Sequence, residues 1–335
     1  MDSLHPDIIL TGILPFLDGP TLASLGCAST TFRDLLSSDS CRQLWSHICL
    51  VTWPSLSTPR LRRLLSTFPP DGPHSFFSQS YALHLRSAHR PTPNRQARQL
   101  TEFISAVDIY HKGNPIFSKT AETAETETSW FRYSPFRVDL VDPKDAAHTS
   151  TLQHPTTDDA CGGLMQELTL SWIVIDPVNG RAANLSSGHP VSVQRHWLSG
   201  EAMLQFCSVV PRGRSSRIRK GGFGRGAAGE LVKCEIRVTL GGSEGGEMQV
   251  REVSLVMEDM DGKCLNGEGS LVNLEWALKG HKWGRYEDFL EKKKERKERV
   301  VKREERLDLF CVAFGIGFLS SIFLFVVKDF AVFGL

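Results

Sequence analysis

Residues 309–327, LFCVAFGIGFLSSIFLFVV, are nineteen residues without a charge. Coiled as an α-helix at 1.5 Å per residue, the run extends about 28 Å, close to the hydrocarbon thickness of a bilayer. A surface helix of a soluble domain keeps a polar face over such a length, and this run has none. Ser320 and Ser321 can bond back to their own helix. Gly315 and Gly317 weaken a helix in water but are common in membrane spans. The run therefore predicts a single membrane-spanning helix, and the rest of the chain must fold outside the bilayer.

Residues 283–306, just before it, read as one long charged helix. Between Glu291 and Arg306, nine Lys or Arg stand against five Glu. Opposite charges at i,i+4 spacing support such a helix in water. The only charged side chains after the span are Lys328 and Asp329. The positive-inside rule then places the preceding modules in the cytosol, with the basic run against anionic lipid. So little chain follows the span that a tail-anchored protein is expected, with the endoplasmic reticulum as the favoured membrane. No signal-peptide pattern follows Met1. The eight cysteines include no Cys-x-x-Cys pair. They fit free thiols in a reducing compartment and give neither a zinc nor a redox motif.

The chain has 335 residues, enough for one large domain or two small ones. Its net charge of +1 hides an uneven layout: residues 1–50 carry −3 and residues 51–100 carry +6. That asymmetry predicts modules with different tasks. In LHPDIILTGILPFL, residues 4–17, Leu10, Ile13, Leu14 and Leu17 share one helical face. Pro6 suits a first turn, Asp7 suits a helix N-terminus, and Pro15 ends the helix after about two turns. Turn chemistry follows at 17–21, LDGPT. A second helix is expected through Leu22, Leu25, Ser29, Phe32 and Leu36, and a third through Leu44, Trp45 and Ile48. Three short helices make a marginal core, so an apolar patch completed by a partner is expected.

Leu4-His5-Pro6-Asp7-Ile8-Ile9, Ile13-Leu14, Leu17, Leu22, Leu25, Phe32-Arg33 and Leu44-Trp45 with Cys49 together resemble an F-box of the plant F-box proteins. His5 separates a Leu-Pro pair that the family usually keeps adjacent. Ala28, Ser29 and Thr30 replace a more typical Val-Cys-Lys. The resemblance implies docking on an SKP-type adaptor and, through it, membership of a cullin–RING ubiquitin ligase. By that carry-over Leu4, Pro6, Ile8, Ile9, Ile13, Leu14, Leu17, Leu22, Leu25 and Phe32 make or support the adaptor interface, and Trp45 stitches the helices together. Ubiquitin transfer belongs to other subunits, so no catalytic residue is expected, and neither a cofactor nor a metal.

Residues 51–99 form a Pro- and Arg-rich connector in which TPRLRRLLSTF is a short basic helix and the rest is irregular. From residue 100 to 280 the texture is strand-like. FISAVDIYHKGNPIFSK reads as a hairpin around HKGN. SWFRYSPFRVDLVD, ELTLSWIVID, VSVQRHWL, MLQFCSVV, LVKCEIRVTL and EMQVREVSLVMED read as further strands. Val232, Cys234, Ile236 and Val238 alternate with Lys233, Glu235 and Arg237. The expectation is α+β: an N-terminal three-helix F-box, an antiparallel β-sandwich-like domain with surface insertions at 143–163 and 211–229, and the charged helix running into the span. Residues 170–201 and 251–275 resemble the C-terminal region of a group of plant F-box proteins. By analogy this region recruits an unknown protein substrate. Its pattern also resembles phloem-lectin-like sandwiches, which leaves open a lectin-like or other ligand-binding membrane protein with a vestigial F-box.

Other motifs reduce to structure. In EDMDGKCLNGEG, 258–269, Gly262 stands three after Asp259, too early for an EF-hand, so an acidic turn is expected. The Gly/Arg segment 212–226 carries six cations but one aromatic, Phe223. Stacking there is poor, so a loop is expected and nucleic acid is not an expected partner. Trp172, Trp197 and Trp276 lie in apolar runs and read as core. Asn184-Leu185-Ser186 is a formal sequon. No phosphate loop, HExxH or nucleophile elbow is present.

Overall fold

The structure is a computed structural model and describes residues 6–81, 100–142, 147–153, 158–213, 230–242, 247–279 and 284–333. The chain forms two compact units, Met1–Tyr286 and Glu287–Leu335.

Helix α1 spans Pro6–Gly12, and the chain then tightens into a 3-10 turn at Leu14–Phe16, as Pro15 requires. Helix α2 (Gly19–Ala28) is capped by Asp18, whose carboxylate accepts the Thr21 N–H at 2.9 Å. The single helix expected from Leu22 to Leu36 is two. Ser29 is extended (φ −145°, ψ 135°), and α3 begins at Thr30 and ends at Leu36. Ser and the two threonines after it favour a cap over a helix interior. Helix α4 (Arg42–Thr52) turns Trp45, Ile48 and Cys49 inward.

The expected irregular connector is a correction. Helix α5 (Pro59–Ser66) is the basic helix read from the sequence, but a 3-10 turn (Pro54–Ser57) precedes it and helix α6 (Pro73–Tyr81) follows. Trp53, Leu56, Leu61, Leu65, Phe68, Phe76 and Phe77 are buried. Pro54, Pro59 and Pro73 each open a helical segment, where the missing N–H has no intrahelical role. These prolines start helices rather than break them.

Strands β1 (Phe103–His111) and β2 (Asn114–Thr123) form the expected hairpin. Lys112 and Gly113 turn it with φ of 51° and 82°, the sign a two-residue type I′ turn needs. The run at 129–142 splits, with a one-turn helix α7 (Ser129–Tyr133) on a Thr128 cap and then β3 (Arg137–Asp139). The supposed insertion at 143–163 contains β4 (Ala147–Gln153) and the start of α8 (Asp158–Glu167). There follow β5 (Leu168–Asp176), β6 (Arg181–Asn184), β7 (Ser192–Arg195), β8 (Ala202–Pro211), β9 (Leu231–Gly241) and β10 (Glu247–Glu258). Helix α9 is Gly267–Leu278. Residues 214–229, most of the expected Gly/Arg loop, lie outside the described residues.

One sheet has the order β2-β1-β5-β6. The other has β3-β10-β9-β8-β7, with β4 also on β10, and every pairing is antiparallel. Val107, Trp172, Phe206, Ile236, Leu255 and Leu274 belong to one core fed by both sheets and α9. Strands β1 and β5 are buried on both faces. Val107, Ile109, Trp172 and Val174 point into that core, while Ile104, Ala106, Ile173 and Ile175 join the helices α2 to α6. The β9 alternation holds, but two members of its charged face, Lys233 and Glu235, are buried while Arg237 stays half-exposed. Glu235 and Lys233 are buried and paired, with Lys233 also 3.0 Å from Glu258 and Gln205 donating to Glu235 at 2.7 Å. Trp197 corrects the core assignment. It is 87% exposed at the β7–β8 tip, whose turn is fixed by Ser199 bonding to His196 and Glu201. Trp172 is core and Trp276 is half-buried.

In the second unit the charged and apolar segments are one uninterrupted helix, α10 (Tyr286–Phe333). It is long and apolar enough to cross a membrane. Ser321 returns its hydroxyl to the Gly317 carbonyl at 2.9 Å, so its polar atom is satisfied without water.

Candidate functional site

The N-terminal helices are built on a buried scaffold. Leu14, Leu22, Leu36, Trp45 and Cys49 are enclosed. The Trp45 indole N–H donates to the Leu36 carbonyl at 3.0 Å, and its ring packs on His74 and Phe77 of α6, centroids 4.8 and 5.2 Å away. Burial depresses the His74 imidazole and raises the Cys49 thiol above its usual range. Gly19 lets α2 meet that layer: a Cβ there would lie 2.3 Å from Phe77 Cζ.

Polar bonds fix these helices to the first sheet. The Ser55 N–H and hydroxyl donate to the two Asp108 carboxylate oxygens at 2.9 and 2.6 Å. Asp108 is fully enclosed, and burial pushes its carboxyl up to about 6, outweighing the bonds from Ser55 and Ser118 that favour the anion. Tyr110 donates to the Thr52 carbonyl, Arg60 pairs with Glu122, and the Gln79 side chain accepts the Ala182 N–H of edge strand β6 at 3.1 Å. The helical module is thus packed on the sheet as one unit, so only the apolar surface that the sheet leaves uncovered is available to a partner.

Apolar side chains along the first helix and the turn after it nevertheless stay uncovered. Ile8 is 52% exposed, Ile13 40% and Phe16 83%. Ile9, Leu17 and Leu25 pack partly against the core below, and Phe32 is half-buried. Of the residues predicted for the interface, Leu4 lies outside the described residues and Pro6 opens α1. Leu14, Leu22 and Trp45 lie in the module's own interior, so they shape the face without presenting themselves on it. Phe16, its most exposed apolar side chain, is not on the face read by helical spacing. Helix α1 stops at Gly12, and the turn at Pro15 sets the next residue by 3-10 geometry instead. Pro15 was the available signal.

The other motifs are accounted for locally. Asp259 accepts the Asp261 and Lys263 N–H groups at 2.9 and 3.0 Å, so its carboxylate closes its own turn. Among the described residues no group of His, Cys, Asp and Glu is arranged to hold a metal. The sequon Asn184 is buried, accepting from the Trp172 and Ser186 N–H groups and donating to Ser171.

The chain is 43% identical over 333 residues to "Probable F-box protein" of Arabidopsis thaliana, covering 96% of this chain and 92% of the relative. It is 36% identical to each of two further proteins of that plant called "F-box protein". The first match covers 97% of this chain and 96% of the relative; the second covers 98% and 92%. No protein-family model matches the chain. No solved structure matches it either.

Proposed function

The chain belongs to the plant F-box proteins, and from that premise we propose that it is a membrane-tethered substrate receptor of an SKP–cullin–F-box ubiquitin ligase. In this reading the adaptor docks on the face around Ile8, Ile13 and Phe16, with Leu4, Pro6, Ile9, Leu17, Leu25 and Phe32 extending it. The cullin follows through the adaptor, and the β-sheets recruit the protein substrate. The receptor positions and does no chemistry of its own. The observation that carries the reading is a set of exposed apolar side chains, Ile8, Ile13 and Phe16, on a helical module packed against its own sheet.

Its magnitude can be set. An aromatic side chain buries 150–250 Å² when covered. At about 25 cal/mol per Å², covering Phe16 is worth about 4 kcal/mol before ordering costs. A loss of about 2 kcal/mol, roughly 30-fold in affinity, is therefore expected for Phe16→Ala. Adaptor pull-down of an Ile8→Ala, Ile13→Ala, Phe16→Ala variant tests it. Folding should be intact and binding lost; binding equal to wild type would refute the docking face.

The tether in this reading is residues 309–327 in the bilayer, with the helical and β modules on the cytosolic face. Alkaline carbonate extraction tests it. The full-length protein should stay with the membrane pellet, and release to the supernatant would rule the span out.

A further inference from the structure

A small cavity lies on the opposite chemistry to the apolar face: it is lined by charges. Its volume is about 70 Å³, room for about five waters or one small organic molecule. Leu100 enters from just before β1, Thr126 and Glu127 from the segment between β2 and α7, Arg132 from α7, and Glu268 and Leu271 from α9. Thr126 is 1% exposed and its hydroxyl has no hydrogen-bond partner. Buried hydroxyls are ordinarily hydrogen-bonded, so this one is available to a polar atom held in the cavity. The walls are fixed around it. Helix α7 meets α9 so closely that a Cβ on Gly267 would lie 2.1 Å from the Phe131 carbonyl oxygen. Gly267 N–H donates to Ser134 and Phe136 N–H to Leu265, at 3.1 and 2.8 Å. The Asn266 side chain caps α9 at 2.9 Å.

The charges lining this cavity are of both signs, and they are not spent on each other. Arg132, Glu127 and Glu268 form no ion pair with one another. A simple anion here would face two carboxylates, and a simple cation would face the guanidinium. A molecule bearing both charges satisfies both, with a carboxylate on the Arg132 fork, an ammonium toward Glu268 and Glu127, and one polar atom on the Thr126 hydroxyl. Leu100 and Leu271 supply the apolar part of the lining, against which a short aliphatic group would sit.

We propose that this cavity is a binding site for a small zwitterion of the α-amino acid class, held by Arg132, Glu268 and the orphan hydroxyl of Thr126. It is independent of adaptor docking. The test is calorimetric titration of the full chain in lipid nanodiscs with L-alanine and L-serine, beside propionate and ethylamine, which carry one charge each. The amino acids should bind, and each one-charge analogue should bind at least about tenfold more weakly. Thr126→Val removes the hydroxyl without changing the shape, so it should fold at least as well as wild type and bind L-alanine about tenfold more weakly. Thr126→Ser should retain binding, and Arg132→Gln should lose it. The proposal is overturned by titrations without heat for either amino acid, by propionate or ethylamine binding as tightly, or by Thr126→Val binding unchanged.

Discussion

Replacing Asp108 by asparagine should remove a pH dependence that this one carboxyl imposes on the joint between helices and sheet. Its folded carboxyl is raised from 3.8 to about 6, first by burial. A shift of that size corresponds to about 3 kcal/mol between the protonated and ionised forms. The sign follows from linkage. The folded state holds this proton more tightly than the unfolded chain does, so the contribution is fully present below about 3.8 and is lost as pH rises through about 6. Other carboxylates also titrate in this range, so the quantity to measure is the difference between wild type and Asp108→Asn. Urea unfolding of the full chain in mild detergent, followed by near-UV circular dichroism from pH 3.5 to 7.5, gives it. The asparagine is neutral throughout and changes the bonds to Ser55 by a constant amount. The wild type should therefore lose about 2 kcal/mol relative to the variant between about pH 4 and pH 6.5, approaching about 3 kcal/mol over the full range. A flat difference would mean the carboxyl is not desolvated. A wild type that gains on the variant as pH rises would mean that Ser55 and Ser118 stabilise the anion by more than burial opposes it.

Two further outcomes are expected. Gly19→Ala forces a methyl against Phe77, which is itself wedged between Trp45, Trp53 and Tyr81 with centroids 5.0 to 5.4 Å away. It should destabilise the chain by about 1–3 kcal/mol in chemical unfolding, and a neutral result would show that Phe77 can move. Glu235→Ala leaves Lys233 buried without its nearest partner. Burial raises the Glu235 carboxyl, but bonds from Lys233 and Arg237 outweigh it and hold it below the usual range. A loss of about 3–5 kcal/mol is expected, with Glu235→Gln milder, and equal losses would show that charge plays no part.

Where a single period dominates, the sequence was legible. The hairpin at HKGN, the alternation along β9 and the α10 helix all follow spacing that local physics enforces. Two of the misreadings share one cause, residues whose meaning depends on a neighbour far along the chain. Pro54 and Pro73 read as loop until Phe76 and Phe77 are seen to pack against Trp53. Glu235 reads as surface until Lys233 and Glu258 enclose it. Trp197 reads as core because an aromatic in an apolar run usually is, and only the polar turn from His196 to Glu201 places it outside. Of the exposed apolar side chains on the N-terminal segment, Ile13 was legible by helical spacing and Ile8 through the F-box resemblance. Phe16 was not, because one proline changes the period three residues after α1 ends.

The burial of residues 53–81 changes what an adaptor would grip. A Pro-rich tether would let the β-sheets swing freely beneath a docked module. Here α6 lies between α4 and β6, and its Gln79 carries the otherwise unpaired Ala182 N–H of the sheet edge. Under the proposed docking, an adaptor on the α1 face would hold the sheets through α6, with no Pro-rich hinge in between. Gln79→Leu should leave the apolar face untouched while freeing that N–H. Adaptor affinity should stay within about 0.5 kcal/mol of wild type. The Ala182 amide should exchange with deuterium faster, by about 1–3 kcal/mol in opening free energy, the cost of an unsatisfied buried donor. Unchanged protection at Ala182 would mean that the helices are not tied to the sheet through this bond, and the coupling would then rest on the Ser55–Asp108, Tyr110–Thr52 and Arg60–Glu122 bonds and the apolar contacts.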